Sequence, residues 1–366
     1  MSAASFTIFD TEPSGSWPLA AAGSGPVGAS VRHLIDLSHF FRDGVRGWPD
    51  ALATEARRHI AGCLTAIEAA LVDEARSSLA GSTLTLVDRP IIWPAVQRHP
   101  HILSPELMAH MRLRAAVSLL GAQALRGDGD PAADPTQGTA WLIEDDDAAV
   151  VDLAARLVRT EARWSAQAGI AAGSAMQADL PAEHFAELAW TSAAVLGTEL
   201  YRAGLAEQNA AMMAMTDAAF ALLARHDEEA SGFALATRLA RTLRDRGRHA
   251  ELLGQALSER RYLLFAALAG ELADVELDAV LDVLVHGGDT QLAALCKALG
   301  GTASDYRHLL LDLRIVRGER DDPTLVRLSQ SYDDLREDDA ADQMQALRRP
   351  AALRAKLAMI PQVDRG

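Results

Sequence analysis

The densest chemistry-bearing group in the chain is His99, His101, Glu106 and His110. Glu106 and His110 stand four apart, which puts both on one helical face at a spacing where two ligands can converge on a metal ion. His99 and His101 bracket Pro100, however, and no H-E-x-x-H pair exists, so the pattern predicts a helix-entry loop and no metal. His33, Asp36 and His39 are spaced three and three, so the outer two diverge around a helix and read as a surface. Asp128 and Asp130 invite a calcium-loop comparison that fails. Ala132, Ala133 and Thr139 occupy the third-ligand, glycine and bidentate-Glu positions. Gly23, Gly25 and Gly28 spell G-x-G-x-x-G, but Pro18 and Ala20 to Ala22 stand where dinucleotide binding needs a strand. No Ser lies in a G-x-S-x-G elbow and no G-x-x-x-x-G-K-[ST] loop exists. The sequence therefore predicts no catalytic residues, no metal and no cofactor.

Charge narrows the partners. Lys plus Arg is 35 against 50 for Asp plus Glu, a net charge of -15, which repels phosphate backbones and anionic lipid. Arg314, Arg317, Arg320, Arg327, Arg336, Arg348, Arg349 and Arg354 are interleaved with acids from Asp312 to Asp339, so this stretch reads as a salt-bridged helical surface rather than a nucleic-acid face. Cys63 and Cys296 are too far apart for a metal knuckle, and two lone thiols suit a reducing cytoplasm. The uncharged runs 164–178, 188–197 and 262–270 all fall short of the roughly 20 residues of a membrane span. No Lys or Arg precedes Arg32, and Pro13, Pro18 and Pro26 interrupt the early apolar stretch, so no secretory leader is expected. A cytoplasmic protein is the expectation.

The elements needed to position any site are helices. Hydrophobic residues make up 49% and aromatics 5% of the 366 residues, so the core must be built mainly from Leu, Ala and Val. Apolar residues recur with a 3.6-residue period, as in Ile60, Leu64, Ile67 and Leu71, or Tyr306, Leu309, Leu310, Leu313 and Val316. Ser104, Pro105 and Glu106 mark a helix start; Ser304 is read as another cap, and Gly247, Gly270, Gly287, Gly300 and Gly318 are read as helix stops. Thr83 to Trp93 reads as an extended connector. The pattern divides the chain into a flexible arm (1–28), an N-terminal helical lobe (29–126), an acidic linker (127–147), a helical-pair domain (148–358) and a tail (359–366). The expected fold is all-α, with stacked helical hairpins in two lobes, HEAT- or armadillo-like.

Two blocks carry a family likeness. The segment Arg89-Pro-Ile-Ile-Trp-Pro through His110-Met-Arg-Leu-Arg is similar to the connector and capped helix start of a HEAT-like unit. Arg260-Arg-Tyr-Leu-Leu-Phe through Leu292-Ala-Ala-Leu-Cys-Lys-Ala-Leu-Gly resembles the C-terminal core of the bacterial domain-of-unknown-function family number 2336, common in alphaproteobacteria. The resemblance implies an all-helical, HEAT-like, soluble bacterial protein and brings no catalytic residues.

Stacked helix pairs expose extended surfaces, so the expected function is a scaffold or regulatory adaptor that binds another protein. The alternatives are an enzyme or small-molecule binder using an inter-lobe pocket, and a nucleic-acid-binding or transcription-related regulator. Binding is expected between Glu228 and Gly318, through residues standing outside the apolar stripes: Arg260, Arg261, Asp305 and Arg307. Leu263, Leu264, Leu268, Val280, Leu284, Leu295, Leu309 and Leu313 are expected to form the core beneath them.

Overall fold

A computed structural model describes residues 48–76, 90–127, 145–165, 176–204, 207–318 and 320–359. The described residues form sixteen α-helices, two short 3-10 turns (Pro100–Ile102 and Glu228–Ala230) and no strand. In chain order the helices are α1 (Asp50–Ala75), α2 (Ile92–Arg98), α3 (Pro105–Gly127), α4 (Ala148–Ser165), α5 (Ala182–Arg202) and α6 (Gln208–Arg225). They continue with α7 (Gly232–Asp245), α8 (His249–Ser258), α9 (Tyr262–Ala273), α10 (Leu277–Val285) and α11 (Asp289–Ala298). The last five are α12 (Ala303–Asp312), α13 (Arg314–Arg317), α14 (Asp322–Asp334), α15 (Glu337–Leu347) and α16 (Ala351–Met359). The fold class is all-α, as the periodicity requires. The N-terminal arm, the glycine triplet, His33, Asp36 and His39, the calcium-like loop and most of the acidic linker lie outside the described residues.

Helix α3 sits at the centre. From Leu107 to Leu120 every residue except Ala109 is buried, so this helix is covered on every side. Its neighbours are α1, α4, α9, α10 and α13. Helix α1 in turn lies on α5 and α6, while α7 joins α4 to α9. One buried cluster accordingly runs from Leu52 to Leu347 and includes all eight leucine and valine residues expected as core. Sequence neighbours do pair, as α5 with α6 and α8 with α9, but α3 and the α11–α15 pair reach across the chain. In a serial repeat each unit meets only the next.

Chain reversals account for most differences from the expected boundaries. Gly247, Gly300 and Gly318 have φ of 71°, 76° and 88°, the left-handed or extended positive-φ region open to glycine at little cost. Gly270 instead lies inside α9, where a Cβ would come within 2.6 Å of the Val275 carbonyl oxygen, and the stop belongs to Asp274 at φ 55°. Gly287 is likewise kept small by the Val283 backbone, 2.7 Å from where its Cβ would be. Arg260, at φ 56°, separates α8 from α9. Short breaks at Leu313 and before Pro350 likewise separate α12 from α13 and α15 from α16. Ser104 caps α3, its hydroxyl accepting from the Leu107 N–H at 3.1 Å. The cap of α12 is Thr302 rather than Ser304: Thr302 accepts from the Asp305 N–H, and the Asp305 carboxylate accepts from the Thr302 N–H at 2.8 Å. Trp93, expected in the extended connector, is in the first turn of α2.

The centre of the fold holds a charge. The Arg114 side chain, on α3, is 1% exposed and pairs with Asp179 at 2.7 Å. It also donates to the Gln177 carbonyl at 3.2 Å and the Cys63 sulfur at 3.5 Å, and lies 4.7 Å from the Trp164 ring centre. The second Asp179 oxygen accepts from the Trp164 indole N–H at 3.0 Å. Four segments thus converge on one guanidinium: α1, α3, α4 and the extended stretch entering α5.

Gly247→Ala and Gly300→Ala, whose Cβ atoms would meet nothing within 4 Å, should each cost about 1–2 kcal/mol in urea unfolding through backbone strain alone. Gly254→Ala, equally unobstructed but inside α8, should stabilise by about 0.5–1 kcal/mol. Arg114→Ala should cost about 3–5 kcal/mol by stranding the Asp179 carboxylate. Arg114→Lys should restore only part of that, because an ammonium lacks the planar fork.

Candidate functional site

A groove of about 880 Å³ lies between α8, α11 and α12. Its apolar walls come from Leu253 and Leu257 on α8, Phe265 on α9, Leu295 and Leu299 at the end of α11, and Leu309 and Leu311 on α12. Arg260, Asp305, His308, Asp312 and Arg314 stand along it. The left-handed turn at Arg260 makes this geometry possible, because it reverses the chain between α8 and α9 without a bulky loop.

The acids of the groove are committed inward. Asp312 accepts from the Tyr262 hydroxyl at 2.8 Å and pairs with Arg260 at 3.4 Å; burial first, then this neighbouring carboxylate, push the Tyr262 hydroxyl far above its usual range. Asp305 is spent on the cap of α12, and the hydrogen bonds from Thr302 hold its carboxyl below the usual range. Arg307, Leu311 and Arg314 are all exposed; Arg307 and Leu311 lie four apart on one face of α12, and Arg314 opens α13 just past the break at Leu313. The outer edge of the groove therefore pairs an apolar ridge with basic ends. Cys296 lines the floor, and burial pushes its thiol up to about 11, which leaves it an unreactive thiol at neutral pH.

Of the four residues expected to bind a partner, the structure brings Arg260 and Asp305 to this groove and sets Arg307 beside it. Arg261 points elsewhere. Its guanidinium pairs with Glu161 on α4 at 3.3 Å and its side chain is 16% exposed, so it joins α9 to α4. The residues that sequence reasoning passed over are Leu311 and His308, whose only signal is their offset from the buried Leu309–Leu310 stripe.

A second surface lies across the molecule. Trp190 on α5 and Phe220 on α6 meet edge-to-face at 5.0 Å and are both exposed. Beside Trp190 runs a groove of about 520 Å³ lined by Arg98, His99, His101, Ile102, Val195 and Thr198. His99 and His101 therefore face a surface groove, while His110 is buried against His184 and Phe233 at 4.9 and 4.5 Å between ring centres. No group of three or more potential metal ligands converges among the described residues. The uncharged run from Leu188 to Gly197 is the trace this face leaves in the sequence.

A buried polar group at α1 has the residue types of a hydrolase but not the arrangement. Ser118 donates to Glu55 at 2.6 Å, and His59 lies 3.3 Å from the same carboxylate oxygen. A nucleophile needs its hydroxyl on the base and an approach for substrate. Here Ser118 is 2% exposed, its proton goes to the carboxylate, and none of the three cavities described reaches it. Burial raises the Glu55 carboxyl, but hydrogen bonds from His59, Arg58 and Ser118 outweigh it and bring it to about 2. Burial brings His59 down to about 4, and it also lowers His110 and His184.

Because these histidines bind a proton more readily when the chain is unfolded, their neutral-state stabilisation is complete above pH 6.5 and is lost as pH falls toward about 4 for His59. Urea midpoints should therefore decline over that window, and His59→Asn should flatten the decline; an unchanged slope would show that His59 does not contribute.

No helix among the described residues is long and apolar enough to cross a membrane. No curated protein and no solved structure matches this chain. The bacterial family DUF2336, described as an uncharacterised protein conserved in bacteria, matches residues 146–345, from the last turn before α4 through most of α15, and so contains the whole α8–α11–α12 groove apart from Gln123. The chain belongs to this DUF2336 family.

Proposed function

We propose that the protein is a helical scaffold that binds another protein, and that the α8–α11–α12 groove takes an amphipathic helix of that partner with its apolar stripe inward and an acidic flank outward. The observation that supports this reading is the groove itself: leucines on both walls and an edge of Arg307, Leu311 and Arg314 in a chain of net charge -15. A helix laid in a groove is read by apolar anchors at i, i+3, i+4 and i+7. Leu253, Leu257, Leu299 and Leu311 offer sockets for such a row. Charge then decides among amphipathic helices. Asp312 is paired with Arg260 and Asp305 is held in the α12 cap, so Arg307 and Arg314 set the charge of the outer edge, which attracts carboxylates and disfavours the basic helices that the rest of the acidic surface would draw. The volume would also admit a small molecule, but no convergent set of buried, uncommitted polar groups lines it, which is what orients a small ligand.

The test is selection from a displayed library of amphipathic helical peptides against the full chain. Enriched peptides should carry an acidic flank and lose about tenfold or more in affinity against the Arg307→Glu, Arg314→Glu double variant. Leu311→Asp should abolish binding while the melting temperature stays within a degree or so, since all three residues are exposed. Enrichment of basic peptides, or equal binding to the variants, would reject the groove as the docking site.

A further inference from the structure

Five of the ten large apolar residues left exposed among the described residues fall on one side of the molecule: Ile102, Trp190, Tyr201, Met213 and Phe220. Trp190, Ala194 and Tyr201 repeat at four and seven along α5, and Met213, Asp217 and Phe220 at four and three along α6, so each set shares a helical face. Trp190, Tyr201, Met213 and Phe220 are 37%, 49%, 66% and 59% exposed. At about 200 Å² per large side chain they show on the order of 400 Å² of apolar surface per copy, within the range of about 300–600 Å² at which a patch is often functional. Aromatic and methionine side chains are also the types enriched where proteins meet.

The face has two unlike edges. Along α6 stand the Met213 and Phe220 knobs with Asp217 between them; along the other side lies the 520 Å³ groove, with Arg98 and His101 in its wall. The remaining charges at the groove, Glu199 and Arg202, pair with each other at 2.8 Å. A knob with an acid on one edge and a hollow with a base on the other, separated by the Trp190 column, is complementary to its own twofold-rotated image.

We propose that this face joins two copies of the chain. The twofold axis passes over α5, each Phe220 enters the partner's groove beside Ile102, and each Asp217 meets Arg98 and His101 across the interface. The groove walls supply area beyond the four large side chains, toward the ~800 Å² per partner of a standard interface. The proposal is independent of the groove at α8–α11–α12, which lies on other helices and stays open in such a dimer.

Sedimentation velocity of the full chain at micromolar concentrations should give twice the chain mass of 39.1 kDa. Phe220→Asp should weaken self-association by roughly 100-fold or more without changing the helical circular dichroism signal. If that variant unfolds, Met213→Asp gives the same reading at a more exposed position. Asp217→Arg alone and Arg98→Asp alone should each weaken the dimer about tenfold, and the two together in one chain should restore it, because each position meets the other across the axis. A monomeric wild-type chain overturns the proposal. So does a dimer indifferent to both Phe220→Asp and Met213→Asp, or a double variant no tighter than the single ones.

Discussion

A guanidinium buried in an apolar core is tolerated only when its charge is met, and Arg114 imposes that condition on most of the fold. A buried charge without its counter-ion costs several kcal/mol, so Asp179 must be held against it, and the partly exposed stretch 176–180 that carries Asp179 is tied down at that point. That tie places the entry to α5 beside α3. The Trp164 ring, fixed by its own hydrogen bond to Asp179, closes the remaining side and sets the position of α4. Once α3, α4 and α5 are placed, α1 fits between α3 and α5, α9 and α10 cover the rest of α3, and the helices that form the grooves follow.

A second constraint comes from the number of helix ends. Each end leaves four carbonyls or four N–H groups without a helical partner, and a chain divided into sixteen described helices has many of them. Side-chain cations meet several of the carbonyl ends. Arg317 donates to the carbonyls of Val283, Leu284 and Gly287 at the end of α10. Arg348 donates to Ala273 at the end of α9, and Lys297 to Leu335 at the end of α14. Each cation complements the negative end of a helix dipole as well as an unmet acceptor. Arginines that look, in sequence, like a solvated surface series are here part of the packing, and Arg317 is nearly buried.

What the sequence makes legible is whatever depends on neighbours within a few residues. The α3 cap at Ser104, the stops at Gly247, Gly300 and Gly318, and the apolar stripes all follow from local chemistry, and the structure places them as that chemistry requires. The left-handed turns at Arg260 and Asp274 are not legible, because side chains there carry no glycine signature and the conformation is imposed by the packing on either side. Pairings such as Arg261 with Glu161, or His110 with His184, join residues whose separation in the chain holds no periodic trace. The grooves belong to the same class. Leu253, Leu299 and Leu311 look alike to any local rule, and only the meeting of three helices distinguishes a groove wall from a core position.

The centrality of α3 has a consequence for synthesis. As the chain leaves the ribosome, α1 and α3 emerge early, yet the surfaces that cover α3 belong to α4, α9, α10 and α13, the last of which ends near residue 317. The sides of α3 that α9, α10 and α13 cover must wait for up to about two hundred further residues to be made. Such long-range closure slows folding and leaves apolar surface exposed in intermediates. The same dependence runs the other way: the family-matched portion beginning at residue 146, made alone, would present the bare sides of α4, α9 and α10 to water.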